Sequence, residues 1–528
     1  MLFNPRSGFR LGVLAMVAGG LNACAAPPRS VSTALPRLVA TTLTPQQLLA
    51  RYRDEAGKCL APGLYHFRYR TVSNGGDVFL ADAYEAAGST TLGDYRLVDE
   101  SHGLRVERGR FSGRSWVRTA NGLVLPDSVL PTAFDRVLKA ALRRSDSRVR
   151  ILGITAKAPH EYVLQIRPNE RIDQERYFDV RTFFLRRVVA QNYDRAVEVR
   201  RYWGYIGVCG KPVPSHAATS SSLSSQTFET SLVKQERLPG DPRRLLAIPQ
   251  SKTPFVPQYP LPATLNSMFG ETGILIRADI QGTPYWFALD TGASNITIDR
   301  DLIQRLGGRE FDKYTGTKGG PVEYSFALLP RLDIGPVYAT NVAVTVLKHD
   351  YIEQGVHVVG LLGCDFLGSR PIAIDFRKQS VTLLKSPPPA TDRRWTVLQT
   401  PLHSGTPSLD VRLGKQSATL VLDLGSRVTT IDEDVFDNIG EKLKQLDETQ
   451  VTFIAGVPLD AAQYVVPQAS AGSMQLGPLI ATVVAGGRGQ ELQTDGILGR
   501  NVLKDYRLIL DYAHQRTYFA RYPTDQEP

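Results

Sequence analysis

One short pattern occurs twice in this 528-residue sequence and restricts the folds that the chain can adopt. Residues 286–299 read WFALDTGASNITID and residues 419–432 read TLVLDLGSRVTTID, so Asp423 follows Asp290 by 133 positions. Each copy has an apolar run, an Asp-x-Gly tripeptide and a second short apolar run. This order predicts a strand, a tight turn that carries a carboxylate, and another strand. The glycine allows the turn to bend where a Cβ atom would clash.

Further matches follow the two copies in the same order. Residues 359–367 (VGLLGCDFL) match residues 495–503 (DGILGRNVL), and residues 371–382 match residues 507–518, in each case 136 positions apart. Several matching features in one order, at nearly one spacing, indicate an internal duplication. We therefore expect two similar β lobes, each with its own Asp-x-Gly turn.

The two aspartates are the best candidates for chemistry in this sequence. The eight histidines never lie four residues apart, so no zincin-type metal pair is present, and we expect no metal and no cofactor. The sequence has no G-x-S-x-G elbow and no phosphate-binding loop, and no cysteine lies in a context that suggests an activated thiolate. Asp290 and Asp423 remain as the candidate catalytic residues.

These motifs resemble those of the aspartic proteases. Asp290-Thr-Gly-Ala together with residues 359–363 is similar to the retropepsin-type half of such an enzyme, and the duplication is similar to a single-chain, two-lobed protease of bacterial type. The resemblance covers about residues 264–523. It implies a mainly β fold, with two tandem retropepsin-like closed β lobes in a pepsin-like arrangement, at residues 263–388 and 389–528. It also implies an endopeptidase that acts as a monomer on peptide or protein substrates.

The chemistry of such an enzyme needs both carboxylates. Hydrolysis of a peptide by water requires a base that takes a proton from water and an acid that protonates the carbonyl oxygen or the amine. Two carboxylates about 3 Å apart share one proton and supply both roles, for which aspartic proteases are the standard example. We expect Asp290 and Asp423 to form this pair.

The resemblance also implies a supporting turn around each aspartate. Its residues are Thr291, Gly292, Ala293, Ser294, Leu424, Gly425 and Ser426. Thr291 is expected to direct its hydroxyl to the backbone of the other turn, and Ser426 to place a hydroxyl against the aspartate. Residues 314–324 are glycine-rich and have two interpretations, a flap over the cleft or an ordinary hairpin tip.

The second lobe departs from the family pattern at Leu424, where Thr or Ser is expected, and at Arg427, where a small residue is usual. Loss of one hydroxyl bond between lobes costs roughly 1 kcal/mol, so replacing Leu424 by Thr is expected to be neutral or beneficial. Three hypotheses follow for function. The chain is an active protease with an asymmetric pair, a degenerate peptide-binding or scaffolding module, or a protease active only when two first lobes pair between chains.

The first 24 residues predict export. Arg6 and Arg10 precede a short apolar run that is typical of a secretory signal peptide. Leu-Asn-Ala-Cys at residues 21–24 resembles a bacterial lipobox, which implies a lipid on Cys24 and location at the periplasmic side of the outer membrane. Cleavage after residue 25 is the alternative and would give a soluble periplasmic protein. Residues 25–44 are a Pro/Ser/Thr-rich tether.

Residues 45–238 have a different pattern, which predicts an antiparallel β domain with one or two helices. Parts of it faintly resemble lipoprotein-carrier domains. Residues 239–262 are Pro-rich and are interpreted as a linker. In an oxidising compartment Cys59 and Cys209 are candidates for a disulfide. The formal net charge is +10, but the basic residues are scattered, which favours a solvated surface over a nucleic-acid-binding site.

Overall fold

The structure is a computed structural model that describes residues 36–522, apart from a set of short stretches. The stretches outside the description are residues 57–62, 88–93, 128–132, 142–145, 169–172, 192–196, 209–210, 223, 272, 317–321, 349–350, 404, 440–442, 453–457 and 485–493.

The helices are α1 Pro45–Ala56, α2 Ala133–Ala141, α3 Pro242–Leu246, α4 Arg300–Arg305, α5 Cys364–Leu367, α6 Glu433–Asp437 and α7 Arg500–Leu503. The strands before residue 262 are β1 Leu38–Val39, β2 Gly63–Ser73, β3 Val78–Ala87, β4 Tyr95–Ser101, β5 Leu104–Phe111, β6 Arg114–Arg118, β7 Val124–Pro126, β8 Val149–Thr155, β9 Glu161–Ile166, β10 Asp173–Asp179, β11 Leu185–Gln191, β12 Val197–Val208, β13 Lys211–Ser221, β14 Ser224–Leu238 and β15 Val256–Pro257.

The strands of the first repeat are β16 Ala263–Thr264, β17 Ser267–Phe269, β18 Ile274–Ile280, β19 Thr283–Leu289, β20 Thr297–Asp299, β21 Phe311–Gly316, β22 Val322–Ile334, β23 Val337–Leu347, β24 Ile352–Glu353, β25 Val356–Leu362, β26 Ile372–Asp375 and β27 Ser380–Leu383. The strands of the second repeat are β28 Thr396–Gln399, β29 Leu402–His403, β30 Thr406–Leu413, β31 Gln416–Leu422, β32 Thr429–Asp432, β33 Lys444–Thr452, β34 Pro458–Val466, β35 Ala469–Ala471, β36 Met474–Gln475, β37 Leu479–Val484, β38 Gly496–Leu498, β39 Tyr506–Asp511 and β40 Arg516–Arg521.

The chain divides into two compact units. Of the described residues, the first unit contains those within 1–113, 131–248 and 312–323, and the second contains those within 114–130, 249–311 and 324–528. The second unit thus includes both lobes of the repeat except residues 312–323 of lobe 1, together with a short stretch from within the predicted N-terminal domain. The predicted domain boundaries remain predictions, but the grouping of residues 114–130 was not foreseen from the sequence.

The first unit is built on one long antiparallel sheet with strand order β1-β8-β9-β10-β11-β12-β13-β14-β2-β3-β4-β5. Strands β13 and β14 form a hairpin in which Ser221 lies opposite Ser224. Helix α1 begins with a reciprocal cap, in which the Gln47 N–H bonds the Thr44 hydroxyl at 3.2 Å and Gln47 Oε1 accepts the Thr44 N–H at 2.9 Å. Its buried Leu48 and Leu49 belong to one core cluster with Val137 and Leu138 of α2.

The second unit contains two lobes with the same strand order. Lobe 1 has the order β23-β20-β25-β19-β18, and lobe 2 has the order β37-β32-β38-β31-β30. In lobe 1, β25 is parallel to β19 and antiparallel to β20, and in lobe 2, β38 is parallel to β31 and antiparallel to β32. This topology confirms the predicted mainly β fold with two tandem lobes.

A six-stranded sheet with the order β16-β27-β26-β39-β40-β28 joins the lobes. Its central pair is antiparallel, and Ala373 lies opposite Ile509, the residue 136 positions later. The flanking pairs are Ile372 with Leu510 and Ile374 with Leu508. Leu508 and Leu510 lie 136 positions after Ile372 and Ile374, so the duplication converts each of these pairs into the other. A pseudo-twofold axis therefore passes between Ala373 and Ile509 and relates the two repeats.

The Pro-rich stretch at residues 239–262 contains ordered elements rather than free linker alone. It contains helix α3 and strand β15, and its Phe255 is wholly buried in the core of the second unit, against Phe366. Among the described residues, no helix combines the length and apolar character needed to cross a membrane.

Candidate active site

Each aspartate follows a strand that is hydrogen-bonded to the Gly-containing strand of its own lobe. Asp290 comes directly after β19, and its N–H donates to Leu362 O at 3.1 Å. Asp423 comes directly after β31, and its N–H donates to Leu498 O at 3.0 Å. Phe287 and Leu289 of β19 and Leu420 and Leu422 of β31 are fully buried in the main core of the second unit, so each turn projects from a buried strand. The repeated sequence therefore gives both carboxylates the same local geometry.

The two turns meet face to face, and glycine is required where they approach. An ideal Cβ atom on Gly292 would lie 2.7 Å from Asp423 Oδ2, and one on Gly425 would lie 2.7 Å from Asp290 Cγ. A real side chain cannot occupy either space. The sequence predicted these glycines for the bend of the turn, and the tertiary structure adds that each makes room for the opposite carboxyl group.

The carboxyl groups of Asp290 and Asp423 are half-buried and hydrogen-bonded to each other. Desolvation, followed by the charge of Asp423, raises the pKa of Asp290 well above its ordinary value. Desolvation also raises the pKa of Asp423, against the N–H groups of Gly425 and Ser426 and the positive charge of Arg500. Both pKa values are therefore raised, and that of Asp290 is raised more strongly.

Backbone N–H groups favour the ionised form of both carboxyls, since Gly292 and Ala293 also lower the pKa of Asp290. Asp423 Oδ1 accepts from the N–H of Gly425 at 2.7 Å and from the N–H of Ser426 at 3.2 Å. Asp290 Oδ1 accepts from the N–H of Gly292 at 2.8 Å. Hydrogen bonds to the ionised form lower a carboxyl pKa, and Asp423 has them in addition to Arg500.

Thr291 locks the two turns together, as the resemblance implies. Its hydroxyl donates to Leu422 O at 2.7 Å and accepts from the N–H of Leu424 at 2.8 Å. Both partners belong to the other lobe, and Thr291 is fully buried. One threonine therefore makes two bonds between the lobes.

Leu424 supplies no matching hydroxyl but has a packing role instead. Its side chain is fully buried in the main core of the second unit. A threonine there would regain a hydroxyl but would leave apolar volume unfilled. The expectation that Leu424→Thr is neutral or beneficial is therefore changed by the structure, and a loss of stability is now expected.

The remaining residues of the predicted turns have local roles. The Ser426 hydroxyl donates to Val428 O at 2.8 Å, so it closes its own turn instead of bonding the aspartate as expected. Ala293 O accepts from the N–H of Cys364 at 2.9 Å, and half-buried Ser294 follows it in the same loop. Arg427 is exposed.

Several predicted features lie outside the described residues. Cys24, Cys59 and Cys209 are among them, so neither the lipid anchor nor the disulfide is tested. Residues 317–321 and the side chains of 313–322 are also outside, so the flap remains a prediction. Cys364 is buried, and burial raises the pKa of its thiol well above the ordinary value, consistent with a core role.

The sequence reasoning missed two buried charged residues behind the turns. Arg500 donates to Gly270 O at 3.2 Å and to Glu271 O at 2.8 Å, and its charge lowers the pKa of Asp423. Asp365 is 2% exposed, and burial raises its pKa to about 6. The available signal was the position of Arg500 one residue after the Gly-Ile-Leu-Gly segment and of Asp365 two residues after the Gly-Leu-Leu-Gly segment.

Comparison with known proteins agrees with this geometry. Residues 276–366 and 409–502 each match the family described as aspartyl protease. Similar solved structures include the aspartic proteinase from Irpex lacteus, with 15% identity over 50% of this chain and 99% of that chain, at a TM-score of 0.33. They also include a DUF1329 family protein from Desulfovibrio piger, with 13% identity over 38% of this chain and 95% of that chain, at a TM-score of 0.29.

No curated protein sequence matches the chain. The two regions that match the family contain both Asp-x-Gly turns. Both lobes therefore match an aspartyl protease family, whose class of activity is peptide hydrolysis.

Proposed function

We propose that this protein is an aspartic endopeptidase in which Asp290 and Asp423 of one chain form the catalytic pair. The observation that carries the proposal is the hydrogen bond between two half-buried carboxyls on equivalent turns, one with a strongly raised pKa. A pair that holds one proton contains an acid and a base at the same place. Thr291 supports a fixed distance between them.

The different environments of the two aspartates support a different proposed role for each. Asp423, as the carboxylate, takes a proton from water while the water oxygen bonds to the peptide carbonyl carbon. Asp290 gives its proton to the carbonyl oxygen, so a neutral tetrahedral diol forms. As the C–N bond breaks, Asp423 returns its proton to the amine nitrogen and Asp290 regains a proton from the diol. The products are an acid and an amine, and the pair is restored.

A peptide-library digest with the purified protein tests this proposal. We expect cleavage at acidic to mildly acidic pH, where the pair holds one proton. Activity should fall at low pH as Asp423 becomes protonated, and at higher pH as Asp290 loses its proton, with both apparent pKa values belonging to the pair.

Two other hypotheses are outcomes of the same experiment. Peptide binding without cleavage at any pH would favour a degenerate binding module. Activity that depends on protein concentration and survives Asp423→Asn would favour pairing of two first lobes. In either case the single-chain pair would be wrong.

We further propose that the protein acts in the bacterial envelope, anchored through Cys24. The basic start, the short apolar run and the lipobox-like residues before Cys24 support this location. Replacement Cys24→Ala should remove the mature protein from the membrane fraction. Wild-type protein found in the soluble periplasm, with its amino terminus beyond Cys24, would exclude the anchor.

The proposed Cys59–Cys209 disulfide can be examined on the same preparation. Closing a loop of 150 residues would stabilise the protein by about 4–5 kcal/mol on the chain-entropy model. Peptide mapping without reductant should recover the linked pair, whereas two free thiols would contradict it.

A further inference from the structure

Each lobe has a Gly-Leu-Leu-Gly or Gly-Ile-Leu-Gly segment with a polar residue two positions after its end. This polar residue differs between the lobes. Lobe 2 has Asn501 there, whose Nδ2 donates to Ile480 O at 2.9 Å and whose Oδ1 accepts from the Thr429 hydroxyl at 2.8 Å. Lobe 1 has Asp365 at this position. An ionised carboxylate has no hydrogen to donate, so it cannot reproduce the bond that Asn501 makes.

The missing donor in lobe 1 comes from Asn121, which lies between strands β6 and β7. Asn121 Nδ2 donates to Ala343 O at 3.0 Å and to Asp365 Oδ2 at 2.9 Å. Asn121 Oδ1 accepts from the N–H of Ala343 at 2.8 Å. One amide therefore connects Asp365 to the neighbouring strand by three hydrogen bonds.

Ala343 is the lobe 1 equivalent of Ile480. Thr345, two residues after Ala343, pairs with Thr297 of β20, and Thr482, two residues after Ile480, pairs with Thr430 of β32. The carbonyl that Asn121 reaches in lobe 1 is therefore the same one that Asn501 reaches in lobe 2.

The β6–β7 hairpin also covers this place with apolar side chains. Leu123 and Leu125 are 4% and 1% exposed and belong to the main core of the second unit. Leu123 packs so closely on the residue after α5 that a Cβ atom on Gly368 would lie 2.8 Å from it. Ala343 is 6% exposed, whereas Ile480 is 45% exposed. The same position is thus covered in lobe 1 and open in lobe 2.

Asp365 is directly connected to the turn that carries Asp290. It is the second residue of α5, and the N–H of the first, Cys364, donates to Ala293 O at 2.9 Å. Gly363, immediately before α5, lies so close to the same loop that its Cβ would be 2.5 Å from Ala293 O. A displacement of α5 would therefore move the Asp290 turn.

We propose that Asn121 is a positioning residue for Asp290 and acts through Asp365 and α5. The β6–β7 hairpin thus supplies lobe 1 with a side-chain amide, whereas lobe 2 has the equivalent amide, Asn501, in its own sequence. The catalytic consequence rests on the proposed function. The structural consequence, which is support of the Asp290 turn by a hairpin from an earlier part of the chain, can be measured without activity.

Asn121→Ala in the full chain tests both consequences. Hydrogen exchange of peptides that cover residues 291–298 should become about tenfold faster, since α5 loses its link to Ala343, while exchange at residues 425–431 stays unchanged. The kcat for peptide hydrolysis should fall about tenfold with KM nearly constant, because the substrate contacts are intact and the catalytic geometry is not. Asn121→Ser serves as the milder variant if Asn121→Ala does not fold.

Rescue distinguishes a positioning role from general packing. Asp365→Asn, added to Asn121→Ala, gives lobe 1 the amide that lobe 2 has in Asn501, so exchange at residues 291–298 and kcat should recover. Unchanged exchange in both Asn121 variants would overturn the proposal, and so would a defect that Asp365→Asn does not reverse. A wild-type protein that cleaves no peptide would refute the proposed function, but the exchange comparison would still decide the role of Asn121.

Discussion

The two lobes of this protein have the same topology but stabilise their Asp-x-Gly turns by different means. Lobe 1 contributes Thr291, whose hydroxyl makes two bonds to the backbone of the other turn, whereas lobe 2 contributes Leu424, which packs in the core. Behind the turns, lobe 2 relies on Asn501, and lobe 1 relies on Asp365 with Asn121. The two copies therefore share a backbone topology but differ in the polar contacts that support their turns.

This comparison also explains why the pair is asymmetric. Asp423 lies near Arg500, while the equivalent residue behind Asp290 is the neutral, buried Cys364. A nearby positive charge favours the ionised carboxylate, and burial without such a charge favours the protonated form. In the sequence, Leu424 and Arg427 suggest that the second repeat has lost function. These departures are nevertheless compatible with the proposed roles of Asp423 as the base and Asp290 as the acid.

The largest expected effect comes from the aspartates themselves. Asp290→Asn and Asp423→Asn should each reduce kcat by about 10³-fold or more, because an amide can neither accept nor share the proton. The double variant should be no worse than either single variant, since the pair acts as a unit. Full activity in Asp423→Asn together with an inactive Asp290→Asn would show that lobe 2 is not catalytic.

Thr291 and Leu424 should respond differently to substitution. Thr291→Val removes two buried hydrogen bonds between the lobes and should lower the free energy of unfolding by about 2–4 kcal/mol and impair kcat. Leu424→Thr should cost about 1–3 kcal/mol through lost packing but leave kcat nearly unchanged. Urea unfolding and steady-state kinetics measure both. Equal loss of kcat in the two variants would contradict the division of roles.

Asp365→Asn and Asn501→Asp should change the stability of the protein in opposite directions. The folded-state pKa of Asp365 is raised from 3.8 to about 6, so the folded protein loses stability as the pH rises through this interval. Asp365→Asn removes that loss and should stabilise the protein at pH 7 by up to about 3 kcal/mol, with no gain below pH 4. Asn501→Asp should instead destabilise lobe 2 by about 1–3 kcal/mol.

Thermal unfolding between pH 4 and pH 7 measures this reciprocal pair. Asn501→Asp is the matched control, since it creates in lobe 2 the carboxylate that lobe 1 already has, without a second amide beside it. A gain from Asp365→Asn that is the same at pH 4 and pH 7 would contradict the assigned titration.

The smallest effect is expected at Ser426. Its hydroxyl closes its own turn on Val428 O, and the equivalent Ala293 in lobe 1 has no hydroxyl at all. Ser426→Ala should therefore cost only about 0.5–1 kcal/mol and leave the pH profile in place. A shifted pH profile would mean that the hydroxyl acts on Asp423 after all.

The sequence was sufficient to predict the duplication, the mainly β lobes and the two Asp-x-Gly turns. These features depend on local patterns, in which apolar strands, a glycine bend and a constant spacing are all readable along the chain. The contacts of Thr291 with the other turn followed from the family resemblance.

Only the tertiary structure decided which residues outside the repeats support the turns. Asn121 lies 222 positions before Ala343 and 244 before Asp365, and nothing local to residues 114–126 indicates that this hairpin groups with the lobes. The sequence also did not indicate that the Ser426 hydroxyl bonds Val428 O or that Leu424 is buried in the core. The physical reason is that a donor is identified by the acceptor beside it in space, and that neighbour is set by packing of distant segments rather than by spacing along the chain.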